Sequence, residues 1–296
     1  MKNMTFIKRK LPLFIILFLL LAGGGVFLIR TPVLVVVDTS FSLLYGPLRL
    51  RLKSYMTSLE LFRRVIPVEV AESAGSDLIA LAVQGASRSP RAAFFPFRYL
   101  EGARYYKNQN PEIPVFVMGG SDSSRAGTDL TFVSTDIAQD LYRAGLFAAY
   151  FAGNEKGILF FMDGDLSMEY RNAFRQGLKD QGFINDPYFL SVTTEYSAYS
   201  DIGCVVTAGP AAKYVERNLK IPLIVFSWVD PSLTPRSVKL VFDDSPIALA
   251  AKVLKSSEPA EEIYVSSEPV LLFDRLEEKK DFRMISRFSK EKFEKI

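Results

Sequence analysis

Histidine is absent from this 296-residue chain, and cysteine and tryptophan each occur once, as Cys204 and Trp228. No Ser-His-Asp triad, no imidazole base and no zinc centre of the usual Cys/His make-up can be assembled from it. Any catalysis would fall to carboxylates, lysine or tyrosine. The single cysteine excludes an intramolecular disulfide, and its place in the apolar run Ile202 to Val206 makes it a small core residue. Charge of one sign is scarce as well: 36 Lys and Arg against 33 Asp and Glu leave +3, too little for a nucleic-acid-binding surface. The hydrophobic share of 49% excludes a disordered or collagen-like polymer, and the length admits two lobes, each with its own core.

The N-terminal segment concentrates the hydropathy. Lys2, Lys8, Arg9 and Lys10 precede an uncharged run from Leu11 to Ile29, which Arg30 closes. A helix of that length spans roughly 28 Å, close to the hydrocarbon thickness of a bilayer. The basic flank holds the start of the run in the cytoplasm, which places residues 31–296 outside it. Two fates of residues 1–30 stand side by side. The run is either a retained anchor, carrying the membrane contact through residues 11–29, or a signal peptide cleaved near Ala22-Gly23-Gly24. Leu21-Ala22-Gly23-Gly24 has the form of a lipoprotein box, but Gly24 stands where the acylated cysteine belongs, so lipidation there is excluded.

Beyond Arg30, short β-branched or aromatic runs alternate with helical stretches, the pattern of parallel βαβ units. Strands are expected at Val33 to Val37, Ile66 to Val70, Ala92 to Phe95 and Val115 to Met118, with an edge-like segment at Leu130 to Ser134. Helices are expected at Leu43 to Arg64, Asp77 to Val83 and Tyr99 to Lys107. A second series starts with a helix from Asp136 to Ala152, capped by Asp136 and carrying a small-residue stripe of Ala138, Leu141, Gly145, Ala148 and Ala152 suited to close packing on a sheet. Strands Gly157 to Met162, Tyr188 to Val192, Ile202 to Val206 and Ile221 to Phe226 follow, with helices Met168 to Gln181 and Ala211 to Leu219. Residues 31–134 and 135–242 thus form two matched blocks. The later pieces, Val238 to Phe242, Ala248 to Leu254, Ile263 to Val265 and Val270 to Phe273, read as segments exchanged between lobes. The expected division is 31–134 plus 243–266 for the first lobe and 135–242 plus 267–296 for the second. The mixed-charge tail from Glu277, with Met284, Ile285 and Phe288 as a narrow apolar stripe, reads as a solvated amphipathic helix.

An export segment, two α/β lobes and crossing strands together resemble a type I periplasmic solute-binding protein, and within that class the basic membrane protein family, which includes nucleoside-binding lipoproteins. Asp38-Thr39-Ser40-Phe41-Ser42 resembles that family's Asp-Lys-Ser-Phe-Asn, Thr207-Ala208-Gly209 its Ala-Gly turn, and Ile224-Val225-Phe226-Ser227-Trp228-Val229-Asp230 the strand and turn whose terminal aspartate contacts the ligand's sugar. Phe174, Gly177 and Gly182-Phe183 fit the helix of its second lobe. The sequence departs from the pattern at Asp243-Asp244, where the family commonly has a lysine that aids sugar recognition. The resemblance implies two Rossmann-like parallel-sheet lobes joined by hinge strands, and a non-catalytic protein closing around a nucleoside or sugar. It implies no cofactor, and an ABC transporter permease or a membrane sensor as partner.

Ligands of open α/β sheets lie beyond the carboxyl ends of the strands. That rule selects Asp38, Ser40 and Phe41 after the first strand, Phe95 and Phe97 after the third, and Asp163 with Asp165 after Gly157 to Met162. It also selects Trp228 and Asp230 after Ile221 to Phe226, and Asp243 after Val238 to Phe242. Rings stack on a sugar or base and carboxylates accept from hydroxyls, so a polyol or nucleoside matches this set. Alternative duties are equally concrete: Asp38 and Asp230 as caps, Phe41 as cover for the first helix. Asp163-Gly164-Asp165 also has the Asp-x-Asp form of a metal-dependent glycosyltransferase, which makes a membrane-anchored carbohydrate-active enzyme one rival reading. A ligand-free interaction module is another.

Overall fold

The structure is a computed structural model and describes residues 25–119, 129–153, 156–162, 166–191, 201–207, 221–226, 238–256, 262–271, 280–285 and 287. The first series comprises β1 (Val33–Asp38), α1 (Thr39–Tyr45), α2 (Pro47–Glu60), β2 (Val65–Val70), α3 (Ser76–Ala86), β3 (Ala92–Pro96), α4 (Leu100–Gln109), β4 (Val115–Met118) and β5 (Thr131–Thr135). The second comprises α5 (Ile137–Ala152), β6 (Gly157–Met162), α6 (Met168–Asp180), β7 (Tyr188–Ser191), β8 (Ile202–Thr207), β9 (Leu223–Phe226) and β10 (Val238–Asp243). After these come α7 (Pro246–Lys255), β11 (Glu262–Val265) and β12 (Glu268–Leu271).

These strands form two six-stranded sheets, ordered β11-β5-β4-β3-β1-β2 and β12-β10-β9-β8-β6-β7. Every pairing in the first sheet is parallel; in the second only β12 runs antiparallel, against β10. Strands such as β1, buried at all six positions, need apolar side chains on both faces, which is why Val33 to Val37 is an unbroken aliphatic run. One face of the first sheet packs Leu34, Val36 and Phe95 against α3 and α4. The other packs Val33, Val35 and Phe94 with Leu50 of α2 and Ile247, Ala250 and Val253 of α7. Cys204 is fully buried in the second lobe, and burial raises its thiol well above the usual range. It should therefore resist a thiol-reactive dye in the native protein and label at once on denaturation. Labelling at comparable rates in both states would contradict this packing.

Four expectations need correction. The helix read from Leu43 to Arg64 is two helices: Gly46 sits at φ +87°, a left-handed conformation that suits glycine, and Pro47 then starts α2 at its first turn. The edge-like Leu130 to Ser134 segment is interior, because β11 pairs along β5 on its outer side. The small-residue stripe of α5 packs closely on a helix as well as on the sheet. Ideal Cβ atoms built at Gly145 and Gly177 would lie 2.3 Å from the Phe174 carbonyl oxygen and 2.0 Å from that of Tyr142, so α5 and α6 meet backbone to backbone. Ala152 meets the sheet in the same way, its carbonyl oxygen 2.7 Å from a Cβ built at Gly203. Finally, the helical turn at 280–285 is seated on the second lobe instead of being solvated on all sides. Ile285 is buried in that core, Phe282 stacks on Phe147 at 5.2 Å, and Tyr150 donates to Asp281 at 2.8 Å. Met284 points outward, and residue 288 and the helix expected at 211–219 lie outside the described residues.

Helix α2 is unusual in its polarity. Its inward face is Leu50 with Ser54, Thr57 and Ser58. Ser54 donates to the Leu50 carbonyl (2.7 Å) and Ser58 to that of Ser54 (2.6 Å), while the Ser58 hydroxyl accepts from the Val65 N–H (2.8 Å). These hydroxyls are satisfied locally, so a small polar face is buried at little cost.

Among the described residues the chain passes between the sheets three times, between β5 and α5, between β10 and α7, and between β11 and β12. Charged side chains fix each passage. Asp136 caps α5 by accepting from the Gln139 N–H (2.9 Å), and its own N–H donates to the Val265 carbonyl (2.9 Å). The two carboxylate oxygens of Asp140 accept from the Ser267 N–H at 2.9 and 2.8 Å, and Arg143 donates to the Ser267 carbonyl at 3.0 Å. Lys252 of α7 donates to the Ser266 carbonyl.

Candidate functional site

The carboxyl ends of β1, β2 and β3 carry a polar rim. Asp38 accepts from the Phe41 N–H at 2.6 Å through one oxygen, capping α1, and pairs through the other with Arg98 at 3.2 Å. Arg98 lies in the 3-10 turn Phe97–Tyr99 that follows β3, and it also reaches Glu72 at 3.4 Å. Thr39 donates to the Val70 carbonyl at 3.0 Å and Ser42 to Glu69 at 3.0 Å. Burial first, and then the charge of Asp38, push the Tyr99 hydroxyl above its ordinary value. The rim thus offers carboxylate acceptors and a guanidinium donor around one half-exposed cation, a chemistry suited to hydroxyl-rich or anionic solutes.

Asp38 is therefore a helix cap whose second oxygen faces the rim. Phe41 is partly buried against the core shared by α2 and α7, so its ring covers the first lobe. Ser40 lies within α1, and its side chain is outside the described residues, as are Asp163, Asp165, Trp228 and Asp230 altogether. Phe95 is a correction: it is fully buried and packs on Tyr106 at 5.8 Å, away from the rim, while Phe97 is partly buried at the same core. Asp243 is buried at the passage into α7, where it accepts from the Ser245 N–H (3.0 Å) and pairs with Lys53 of α2 (2.9 Å). A solute reaching Asp243 would share it with that lysine. Among the described residues no group of three or more acidic or cysteine side chains is placed to hold a metal ion.

Arg98 is the rim residue that sequence reasoning missed. The signal was present, since Phe97-Arg98-Tyr99 directly follows the strand ending at Pro96.

No protein-family model matches the chain, and no curated protein does. Solved structures do. An ABC transporter periplasmic solute-binding protein from Actinobacillus succinogenes, crystallised with bound D-allose, superposes with a TM-score of 0.50 at 15% identity, over 82% of this chain and 97% of that one. A transcriptional activator of the comK gene from Bacillus halodurans superposes with a TM-score of 0.56 at 13% identity, over 88% and 98%. With the two sheet orders above, these likenesses establish the class: the chain has the type I periplasmic binding protein fold. They support the fold expected from the sequence without singling out the basic membrane protein family.

Proposed function

We propose that this chain is a non-catalytic, extracytoplasmic solute-binding protein that closes around a small polar ligand, a sugar or a nucleoside, for ABC-type uptake or for sensing. The observation that carries the proposal is the Asp38–Arg98–Glu72 rim at the carboxyl ends of the first sheet, on a fold whose neighbour was crystallised with D-allose. In this reading the first lobe is 31–134 plus 243–266 and the second 135–242 plus 267–296. Asp38, Ser40, Phe41 and Arg98 serve the ligand from the first lobe, and Asp163, Trp228 and Asp230 from the second, with Asp243 between them. The partner is an ABC transporter permease or a membrane sensor. Similarity to a transcriptional activator favours, as a second reading, a module that reports its ligand instead of delivering it.

Thermal unfolding of the detergent-solubilised chain, screened against sugars, nucleosides and amino acids, tests the proposal. A ligand at about 100 times its Kd adds roughly 2.7 kcal/mol of native stability and raises Tm accordingly. Asp230→Asn should then weaken binding by roughly 10- to 150-fold, the worth of a buried hydrogen bond to a charged group. Arg98→Ala should lower affinity by about tenfold or more, and the ligand-free Tm should fall as well, because the buried Asp38 carboxylate keeps the Phe41 N–H but loses this cation. No shift with any solute, or full affinity in both variants, would defeat the assignment.

A further inference from the structure

We propose that α2 is a docking helix for an anionic bilayer surface, lying flat in the interface with its outward face among the lipids. Its polarity is inverted relative to a helix that serves only the core. Leu50 and three hydroxylic residues face the sheet, whereas Leu48, Leu52, Tyr55, Met56 and Leu59 face outward and are between 49% and 81% exposed. At about 100° per residue those five side chains fall in one arc of roughly 100°. Arg49 and Arg51 are exposed and flank that arc on its two sides. An apolar stripe bordered by cations is the arrangement of interfacial helices, whose rings and aliphatic chains enter the acyl boundary while the cations meet lipid phosphates.

A second observation gives the occupant. The apolar run Leu11 to Ile29 ends beside the carboxyl end of α2: Phe27 packs on Phe62 at 5.9 Å, and Arg30 lies 5.1 Å over the same ring. Val26, Leu28 and Ile29 are exposed there, so the stripe on α2 is continuous with the end of the chain's most apolar segment. The proposal holds whichever solute the protein takes.

Cys204 is buried, so a cysteine introduced on the surface can be labelled selectively. The test uses the full chain with Leu52→Cys or Leu59→Cys carrying bimane, mixed with phosphatidylcholine vesicles that contain phosphatidylglycerol and a headgroup-proximal doxyl lipid. The control is Leu81→Cys, an exposed position on α3 across the sheet. Emission at Leu52→Cys and Leu59→Cys should fall by about twofold or more, with little change at Leu81→Cys. The quenching should disappear without phosphatidylglycerol, or when Arg49→Glu and Arg51→Glu are combined. Equal quenching at all three positions, none at Leu52→Cys, or indifference to lipid charge overturns the proposal. Concentration-dependent shielding of Leu52→Cys without vesicles overturns it too, in favour of a second copy.

Discussion

Replacing Gly177 with alanine should cost about 3 kcal/mol of stability, the upper end of what overpacking exacts, because the new methyl would have to occupy the space of a backbone oxygen. Its ideal Cβ position lies 2.0 Å from the Tyr142 carbonyl oxygen and 3.0 Å from the Leu146 nitrogen. Neither neighbour is the free end of a side chain, so relief requires α5 and α6 to separate along their length. Gly145→Ala meets the Phe174 carbonyl at 2.3 Å and should cost a similar amount. Both substitutions are relieved by the same separation, so the double variant should lose less than the sum of the two. Gly85→Ala is the contrast: nothing lies within 4 Å of its Cβ position in α3, and alanine there should add about 0.5 to 1 kcal/mol. Denaturant midpoints at constant slope read all four. A loss below about 0.5 kcal/mol for Gly177→Ala would mean that the helices do not meet backbone to backbone.

Asp140→Ala should be comparably damaging, at about 3 to 5 kcal/mol, because it takes the acceptor from the Ser267 N–H and the counter-charge from the buried Arg143 guanidinium 3.7 Å away. Asp140→Asn keeps an acceptor for Ser267 and should cost less. The pair also separates charge from hydrogen bonding through pH. Burial raises the Asp140 carboxyl from 3.8 to about 6, against the opposing pull of the Ser267 N–H, Arg143 and Lys252. Between those values the native state binds the proton that the unfolded chain has released. The group's favourable contribution is therefore complete below about pH 4 and is lost as pH rises through about 6, a change of roughly 3 kcal/mol. Subtracting the Asp140→Asn curve from that of the parent between pH 4 and 7 should reveal this fall. A difference that stays flat would show that the carboxylate is not desolvated as the structure has it.

The central strands were legible because strands buried on both faces need apolar side chains, and β1, β6 and β8 carry unbroken apolar runs up to their last residues. Helix α5 was legible through its cap, where Asp136 accepts from Gln139. The break at Gly46-Pro47 was written in the sequence and passed over, since hydrophobic periodicity runs on through it. What local pattern could not show is anything made by distant segments. Thr131–Thr135 reads as an edge because the strand that covers it, Glu262–Val265, lies far downstream. Asp140 and Arg143 pair with each other three residues apart on an apolar helix, but only the passage at Ser267 explains why that pair is buried. Within the candidate site, Asp38 was legible from its position after a strand, but its ion pair with Arg98 spans sixty residues. Asp243 shows the same limit, since Lys53 reaches it from a helix far upstream in the sequence.

The placement of β11 and β12 bears on how the protein is made. Each sheet gains an outermost strand from the last part of the chain, β11 beside β5 and β12 beside β10. The parallel pairing of β11 with the distant β5 is slow, because loop-closure entropy must be overcome before the contacts form. Synthesis from the N-terminus therefore yields two sheets that each still lack a strand when residue 261 has emerged. Val133 and Leu240 remain at open edges until the final segment arrives. The two lobes then finish nearly together, as β11 and β12 are separated only by Ser266 and Ser267. A chain threaded through a membrane before that moment would cross it without a completed sheet.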